Sequence, residues 1–130
     1  MRNEIPEAIS QCLAAGITVR MVTGDSTEVA IAIAKDCGIL NFDYDFEIEN
    51  SYTVMEGRHF RQEVGVMVDP YMSLGENLKI KDKRTFKEMI RELRVLARPT
   101  SEDQYLLVNG LRSNYFFVVK ILEIYNENLS

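Results

Sequence analysis

Apolar residues recur along this chain at two spacings, one typical of helices and the other of buried strands. Ile5, Ile9 and Leu13 recur every fourth residue and predict a helix over residues 6–15. A mostly apolar run follows directly and predicts a buried strand over residues 17–22. The chain therefore opens with a helix and a strand of the kind found in layered folds of mixed α and β structure.

The same two patterns repeat along the rest of the chain. They predict a helix that begins after Ser26 or Thr27, a strand over 52–55 and a helix from Thr85 to about Leu93. A strand over 94–97, a helix from Ser101 and a strand over 115–119 follow. Ser101 and Gln104 have the spacing of a capping box at the start of the last helix. Residues 61–83, which contain Pro70 and Gly75, show no readable period. This alternation predicts an α/β fold, a parallel sheet with helices on both faces.

The tripeptide Thr23-Gly24-Asp25 lies between the first predicted strand and the next helix. Ligands of parallel sheets gather at the carboxyl ends of the strands, where Gly24 would let the backbone approach an anion closely. The N–H groups that open the next helix favour negative charge at the same place. Arg98 follows another predicted strand, so we expect it at the same edge of the sheet. Taken alone, these residues would also fit a helix cap and a surface ion pair.

Composition and charge narrow the classes of function. The chain has 130 residues, of which 46% are hydrophobic, and this fits one domain with a real core. Its net charge of −5 argues against nucleic acid as a partner, because phosphate binding needs clustered Lys and Arg. No apolar run approaches the length of about 18 residues that a membrane span requires. We therefore expect a soluble chain.

No side chains are spaced as metal ligands. Cys12 and Cys37 fall on apolar faces of predicted helices, so we interpret them as reduced core residues. His59 is the one histidine of the chain. Asp43 and Asp45 lie in an acidic segment that has no glycine turn of the kind a calcium loop needs, and we interpret that segment as a solvated loop.

Several ordered segments closely resemble the phosphorylation domain of P-type ATPases, and among these the calcium pumps of the plasma-membrane type. The segments that carry the resemblance are Ala15-Gly-Ile-Thr-Val-Arg-Met-Val-Thr-Gly-Asp25, Met55-Glu-Gly57 with Phe60-Arg61, and Val95-Leu-Ala-Arg98 with Asp103 and Tyr105-Leu-Leu-Val108. The resemblance implies residues 1–119 as a partial phosphorylation domain, with residues 61–83 as a poorly matched insert and residues 120–130 as a divergent tail. It also implies an incomplete Rossmann-like fold of the haloacid dehalogenase superfamily.

The resemblance further implies a parent protein that hydrolyses ATP through an aspartyl phosphate to transport a cation, calcium by subtype. ATP and Mg²⁺ are the cofactors of that family, and its phosphorylation domain is the cytoplasmic portion of a membrane pump. By the same resemblance, Thr23, the Gly24 backbone and Asp25 contact the transferring phosphoryl group, and Arg98 contacts the nucleotide.

Three features of the family are missing from these residues. There is neither an Asp-Lys-Thr-Gly-Thr nucleophile motif nor the Gly-Asp-Gly-x-Asn-Asp motif that carries a magnesium ligand, and Gln104 stands where the family has a lysine. Phosphoryl transfer depends on such positive charge. We therefore expect no catalytic residue, no metal ligand and no ATP hydrolysis by the chain alone. A truncated gene model, a splice product and a pseudogene all remain open as its origin.

Two other functions compete with that of a pump fragment. A small phosphatase of the same superfamily would need a nucleophile, and Asp43-Tyr-Asp45 has the required spacing without the flanking motif. A non-enzymatic nucleotide- or anion-binding or regulatory module would keep only weak affinity for ATP. We also expect association with the parent pump or self-association, because strand 17–22 without a partner would expose its backbone hydrogen-bonding groups.

Overall fold

Helices and strands alternate along the chain, as the apolar spacing predicts. The computed structural model describes residues 4–40, 51–73, 77–114 and 122–123. The elements in these ranges are α1 (Glu4–Ala14), β1 (Met21–Thr23), α2 (Thr27–Asp36), β2 (Val54–Glu56), α3 (Gly57–Val64), β3 (Val66–Val68), β4 (Leu78–Ile80), α4 (Lys83–Glu92), β5 (Val95–Ala97), α5 (Ser101–Ser113) and β6 (Leu122–Glu123). The predicted strand over 115–119 and the acidic residues Asp43 and Asp45 lie outside the described residues.

Four strands form one parallel sheet in the order β2-β5-β1-β6. Helices cover both of its faces, because successive residues of a strand point to opposite sides. Val22 and Leu96 belong to a core cluster that contains residues of α3, α4 and α5, whereas Met21 and Val95 belong to a second cluster that contains residues of α1 and α2. The predicted α/β architecture, an incomplete Rossmann-like sheet, is thereby confirmed.

The first strand lies inside the sheet and not at its edge. Met21 pairs with Val95 on one side and with Leu122 on the other. The expectation that this strand would expose unpaired backbone groups was therefore wrong, because a strand from the C-terminal part of the chain supplies its second partner. The strand is also shorter than predicted, since residues 17–20 lie outside it and Ile17 is 54% exposed.

Two predicted helix caps lie at different residues from those expected. Helix α4 is capped by Asp82, whose side chain accepts a hydrogen bond from the backbone N–H of Thr85, so Thr85 is not the cap. Hydrogen bonds from Thr85 hold the pKa of Asp82 below its usual value. Helix α5 is capped by Thr100, with Asp103 completing the capping box. The predicted box that began at Ser101 was thus wrong by one residue.

Residues 61–83 contain regular structure that no sequence pattern predicted. Helix α3 continues to Val64, and Gly65 ends it with a positive φ of 66°. Strands β3 and β4 then pair as an antiparallel hairpin, with Val66 opposite Ile80. All three residues of β3 are exposed, so this strand shows no alternation of apolar and polar positions from which it could be recognised.

Arg20 connects the segment before β1 to the end of helix α4. Its guanidinium donates hydrogen bonds to the carbonyl oxygens of Ile90 at 2.6 Å and Leu93 at 3.1 Å. A cation at this position also interacts favourably with the negative end of the helix. Burial, and secondarily the nearby charge of Arg94, lower the pKa of Arg20 to about 10.

Both cysteines are free thiols, and the predicted core position holds for Cys37 only. Cys37 is 1% exposed, and burial raises the pKa of its thiol. Cys12 is half-buried on α1. In the part of the chain that the structure describes, no helix has the length and apolarity needed to cross a membrane.

Gly57 permits a close contact between the start of α3 and the loop that follows β5. A Cβ atom at this position would lie 2.7 Å from the Pro99 Cα and 2.9 Å from the Arg98 carbonyl oxygen, and it would overlap the Asp103 carboxylate. Such separations are far inside van der Waals contact. The two backbones could not pack in this way around any larger residue.

We expect Gly57→Ala to lower the free energy of unfolding by about 1–3 kcal/mol, the usual cost of overpacking. Gly24→Ala is the matched control, because an added Cβ meets no atom within 4 Å there. Urea unfolding followed by circular dichroism measures both variants. Equal stability of the two variants would contradict the close packing at Gly57.

We expect the two thiols to react with iodoacetamide at different rates at pH 8. Cys37 should react slowly, because it is buried and its raised pKa keeps it protonated. Mass spectrometry over time should show one fast and one slow addition. The fast addition should disappear in Cys12→Ser and persist in Cys37→Ser; the reverse would show that Cys37 is the accessible thiol.

Candidate functional site

The carboxyl ends of three strands meet at one edge of the sheet. In register, Ala97 of β5 lies between Thr23 of β1 and Glu56 of β2. The backbone N–H of Arg98 donates a hydrogen bond to the Thr23 carbonyl oxygen at 2.7 Å. The structure therefore brings together the two loops that the sequence singled out, at the edge where ligands of parallel sheets bind.

The loop after β1 is a tight turn that begins at Thr23. This side chain is only 6% exposed; its hydroxyl donates to Asp25 Oδ2 at 3.0 Å and accepts from the Asp25 N–H at 3.2 Å. Ser26 then caps α2 by accepting from the N–H of Val29 at 3.3 Å. The turn thus places the N-terminus of α2 at the same edge of the sheet as the end of β1.

Gly24 is the exposed residue of this turn. A Cβ atom added at Gly24 would meet no protein atom within 4 Å, so the packing of the chain itself does not require glycine there. The absence of a side chain instead leaves the backbone open to a molecule that approaches from solvent. This accessibility suits the predicted role of Gly24 in contacting phosphate through its backbone.

The loop after β5 carries Arg98 in an unusual backbone conformation. Its φ of +50° is the one positive value of a non-glycine residue among the described residues. Residues with side chains adopt this left-handed region rarely and at some cost in energy. Its N–H bond to Thr23 holds the loop on one side, and the capping box of Thr100 and Asp103 holds it on the other.

Asp103 is a supporting residue whose role the sequence did not indicate. It is fully buried; Oδ2 accepts from the Thr100 N–H at 2.8 Å, and Oδ1 lies 3.3 Å from Arg61 Nε. Arg61 comes from α3, so the pair connects that helix to the loop that carries Arg98. Among the described residues Oδ1 has no hydrogen-bond partner, so the charge of Arg61 is what compensates this oxygen for its lost hydration and holds the loop.

Positive and negative groups nearly balance at this edge. The first turn of α2 presents a partial positive charge, and Arg98 is exposed and cationic. Asp25 and Glu56, both half-buried, contribute carboxylates. An anion would therefore be attracted less strongly here than at a site lined by cations alone.

The described residues do not provide a metal centre. No group of three or more His, Cys, Asp or Glu side chains among them could hold a metal ion. His59 instead pairs with Glu63 at 3.3 Å on the surface of α3. Gln104 is half-buried and neutral in the first turn of α5.

Comparisons with known proteins identify the relatives of this chain. No protein-family model matches it. It is 39% identical over 117 residues to plasma membrane calcium-transporting ATPase 1 of Gallus gallus, an alignment that covers 90% of this chain and 8% of that protein. It is 39% identical over 112 residues to calcium-transporting ATPase 2 of Saccharomyces cerevisiae, which covers 86% of this chain and 8% of that protein.

A human relative is similar to this chain to the same degree. The chain is 40% identical over 111 residues to plasma membrane calcium-transporting ATPase 1 of Homo sapiens, and the alignment covers 85% of the chain. The chain spans about 8% of the length of the curated relatives it matches. Identity at this level over most of the chain confirms the resemblance seen in its motifs. The chain belongs to the family of calcium-transporting P-type ATPases of the plasma-membrane type, of which it matches one short segment.

Proposed function

We propose that this chain is part of the phosphorylation domain of a calcium-transporting pump, and that it carries the corner of that domain which contacts phosphate and nucleotide. The residues of this corner are Thr23, Gly24, Asp25 and Arg98. One observation carries the assignment: the hydrogen bond of 2.7 Å from the Arg98 N–H to the Thr23 carbonyl oxygen, which joins the two loops. The names of the relatives support calcium as the transported ion.

Thr23 and Gly24 would contact the phosphoryl group. The Thr23 hydroxyl donates to Asp25 Oδ2, and it can rotate to donate to a phosphoryl oxygen instead. Gly24 would offer its exposed backbone, and α2 would direct the positive end of its dipole at the same group. Asp25 would hold the hydroxyl in place when no phosphate is bound.

Arg98 would bind the nucleotide phosphates or the sugar through its guanidinium. A planar guanidinium can donate two parallel hydrogen bonds to a phosphate, which makes it a strong partner for this group. The loop that carries Arg98 is held by the N–H bond to Thr23, by the Thr100–Asp103 capping box and by the pair of Asp103 with Arg61. Binding would therefore require little further ordering of the loop. In the parent pump, ATP and Mg²⁺ would be the cofactors, and magnesium would be held by residues other than those described.

The chain by itself would bind without turnover. Its sequence has no Asp-Lys-Thr-Gly-Thr motif to accept the phosphoryl group, and Gln104 supplies no positive charge in the first turn of α5. Electrostatic stabilisation is the main source of rate enhancement in phosphoryl transfer. Weak binding of a nucleotide or another anion without hydrolysis would also suit a regulatory module, which is the alternative function.

We expect ATP to bind weakly to the isolated chain and Arg98→Ala to reduce its affinity about tenfold or more, because a charge-assisted hydrogen bond contributes about 1.5–3 kcal/mol. Arg91→Ala is the matched control: it removes the same charge from an exposed position at the end of α4, away from this sheet edge. Isothermal titration calorimetry with and without Mg²⁺ measures both. Equal affinities of the two variants for ATP would show that Arg98 does not contact the nucleotide.

We expect no acid-stable phosphoenzyme when the chain is incubated with radiolabelled ATP and Mg²⁺. An intact calcium pump in a parallel sample serves as the positive control. Incorporation of label would show that a carboxylate of this chain acts as a nucleophile, with Asp25 and Asp43 as the first candidates for substitution. That result would overturn the assignment of binding without turnover.

A further inference from the structure

A cavity of about 490 Å³ opens between the β3–β4 hairpin and helices α4 and α5. None of its lining residues belongs to the corner formed by Thr23 and Arg98. Its volume lies in the range of about 300–1,000 Å³ that is usual for small-molecule sites. The residues that line it are Met72, Lys79, Ile80, Lys83, Phe86, Lys87, Tyr105, Asn109, Gly110, Ser113 and Asn114.

The floor of this cavity is apolar and closely packed. Phe86 is 1% exposed and packs edge-on against Phe60, with ring centroids 6.4 Å apart. Gly110 lets α5 approach this floor: a Cβ there would lie 2.5 Å from Phe86 Cζ and 2.7 Å from Ile80 Cδ1. The floor is therefore rigid but nearly inaccessible, and the apolar surface open to a ligand comes from Met72, which is 45% exposed, and from half-buried Tyr105.

The rim carries three positive charges. Lys83 and Lys87 lie on successive turns of α4, and both are exposed. Lys79 of β4 has its Nζ 3.5 Å from Asp69 Oδ2, which holds that side chain on the hairpin. Among the described residues that line the cavity there is no carboxylate. In a chain with a net charge of −5, this is a local concentration of positive charge.

The wall formed by α5 is polar. Asn109 lines the cavity, and its carbonyl oxygen accepts from the Ser113 hydroxyl at 2.9 Å. Asn114 donates from Nδ2 to the Gly110 carbonyl oxygen at 2.8 Å. These bonds fix the end of α5, so the cavity has a defined wall on the side that faces the lysines. The accessible apolar side chains Met72 and Tyr105, a polar wall and a cationic rim together select for amphipathic anions.

We propose that this cavity is a binding site for a small aromatic molecule with two negative charges. The ring system would lie against Met72 and Tyr105, and the charged groups would contact Lys83 and Lys87, with Lys79 close enough to exchange its partner Asp69 for the ligand. Burial of the ring provides affinity in proportion to its apolar area. The two charges provide specificity, because a neutral molecule leaves the lysines without a partner.

Naphthalene disulfonate is a suitable probe, since it combines a flat ring system with two permanent charges. It is titrated into the isotope-labelled full chain, and binding is followed by the backbone amide resonances in NMR spectra. We expect saturable shifts at residues of the cavity, including Asn109 and Gly110. Shifts confined to Thr23, Gly24 and Arg98, or the lack of saturable binding, would overturn the proposal.

Substitution of the rim separates this site from the candidate nucleotide site. The double variant Lys83→Gln, Lys87→Gln should weaken the probe about tenfold or more, since it removes both of the positive charges that would contact the sulfonate groups. The control Lys81→Gln, Arg91→Gln removes the same charge at exposed residues outside the cavity. Circular dichroism checks that both variants are folded.

Two comparisons complete the test. Dihydroxynaphthalene, which has the same ring system without the charges, should bind at least about tenfold more weakly than the disulfonate. Arg98→Ala should leave binding of the probe unchanged, so failure of the nucleotide site does not affect this result. Equal affinities for the charged and neutral probes, or equal affinities in the rim and control variants, would contradict the proposal.

Discussion

The parallel pairing of β1 with β5 is the constraint on which the candidate site depends. It sets Thr23 opposite Ala97, and the next hydrogen bond along the pair runs from the Arg98 N–H to the Thr23 carbonyl oxygen. Because β2 continues the same register on the other side of β5, Glu56 reaches the same edge. The carboxyl ends of three strands from distant parts of the sequence are thus brought together by the backbone bonds of the sheet.

The loop after β5 needs additional support, since it places Arg98 in a conformation that costs about 1–3 kcal/mol in residues with side chains. Asp103 provides much of this support. Its carboxylate accepts from the Thr100 N–H and pairs with Arg61, and Gly57 lets α3 come close enough for that pair to form. Such a pair, in which Asp103 is buried and Arg61 is partly exposed, contributes little net stability compared with apolar packing, but it specifies one arrangement of the groups around it.

Much of the sheet and both halves of the site could be predicted from the sequence, because they depend on local signals. The strands that end at Thr23 and Ala97 are apolar runs followed by turn residues, and these runs are read without knowledge of the fold. Asp103 could not be assigned its role in this way, since Arg61, its partner, is far away in sequence. Strand β6 escaped prediction because two residues carry no period, and the exposed strand β3 escaped because it lacks alternation.

The two places that attract anions in this chain differ in how their charges are compensated. At the sheet edge, Arg98 and the start of α2 are opposed by Asp25 and Glu56, so an anion must displace existing interactions, such as the bond from the Thr23 hydroxyl to Asp25. At the cavity rim, Lys79 is paired with Asp69, whereas no carboxylate lies among the described lining residues, and contact with Met72 and Tyr105 adds an attraction that does not depend on charge. Raising the salt concentration screens exposed charges at both places. Affinity that survives high salt should therefore come from contacts of the ring with Met72 and Tyr105, because burial of an aromatic ring is not screened.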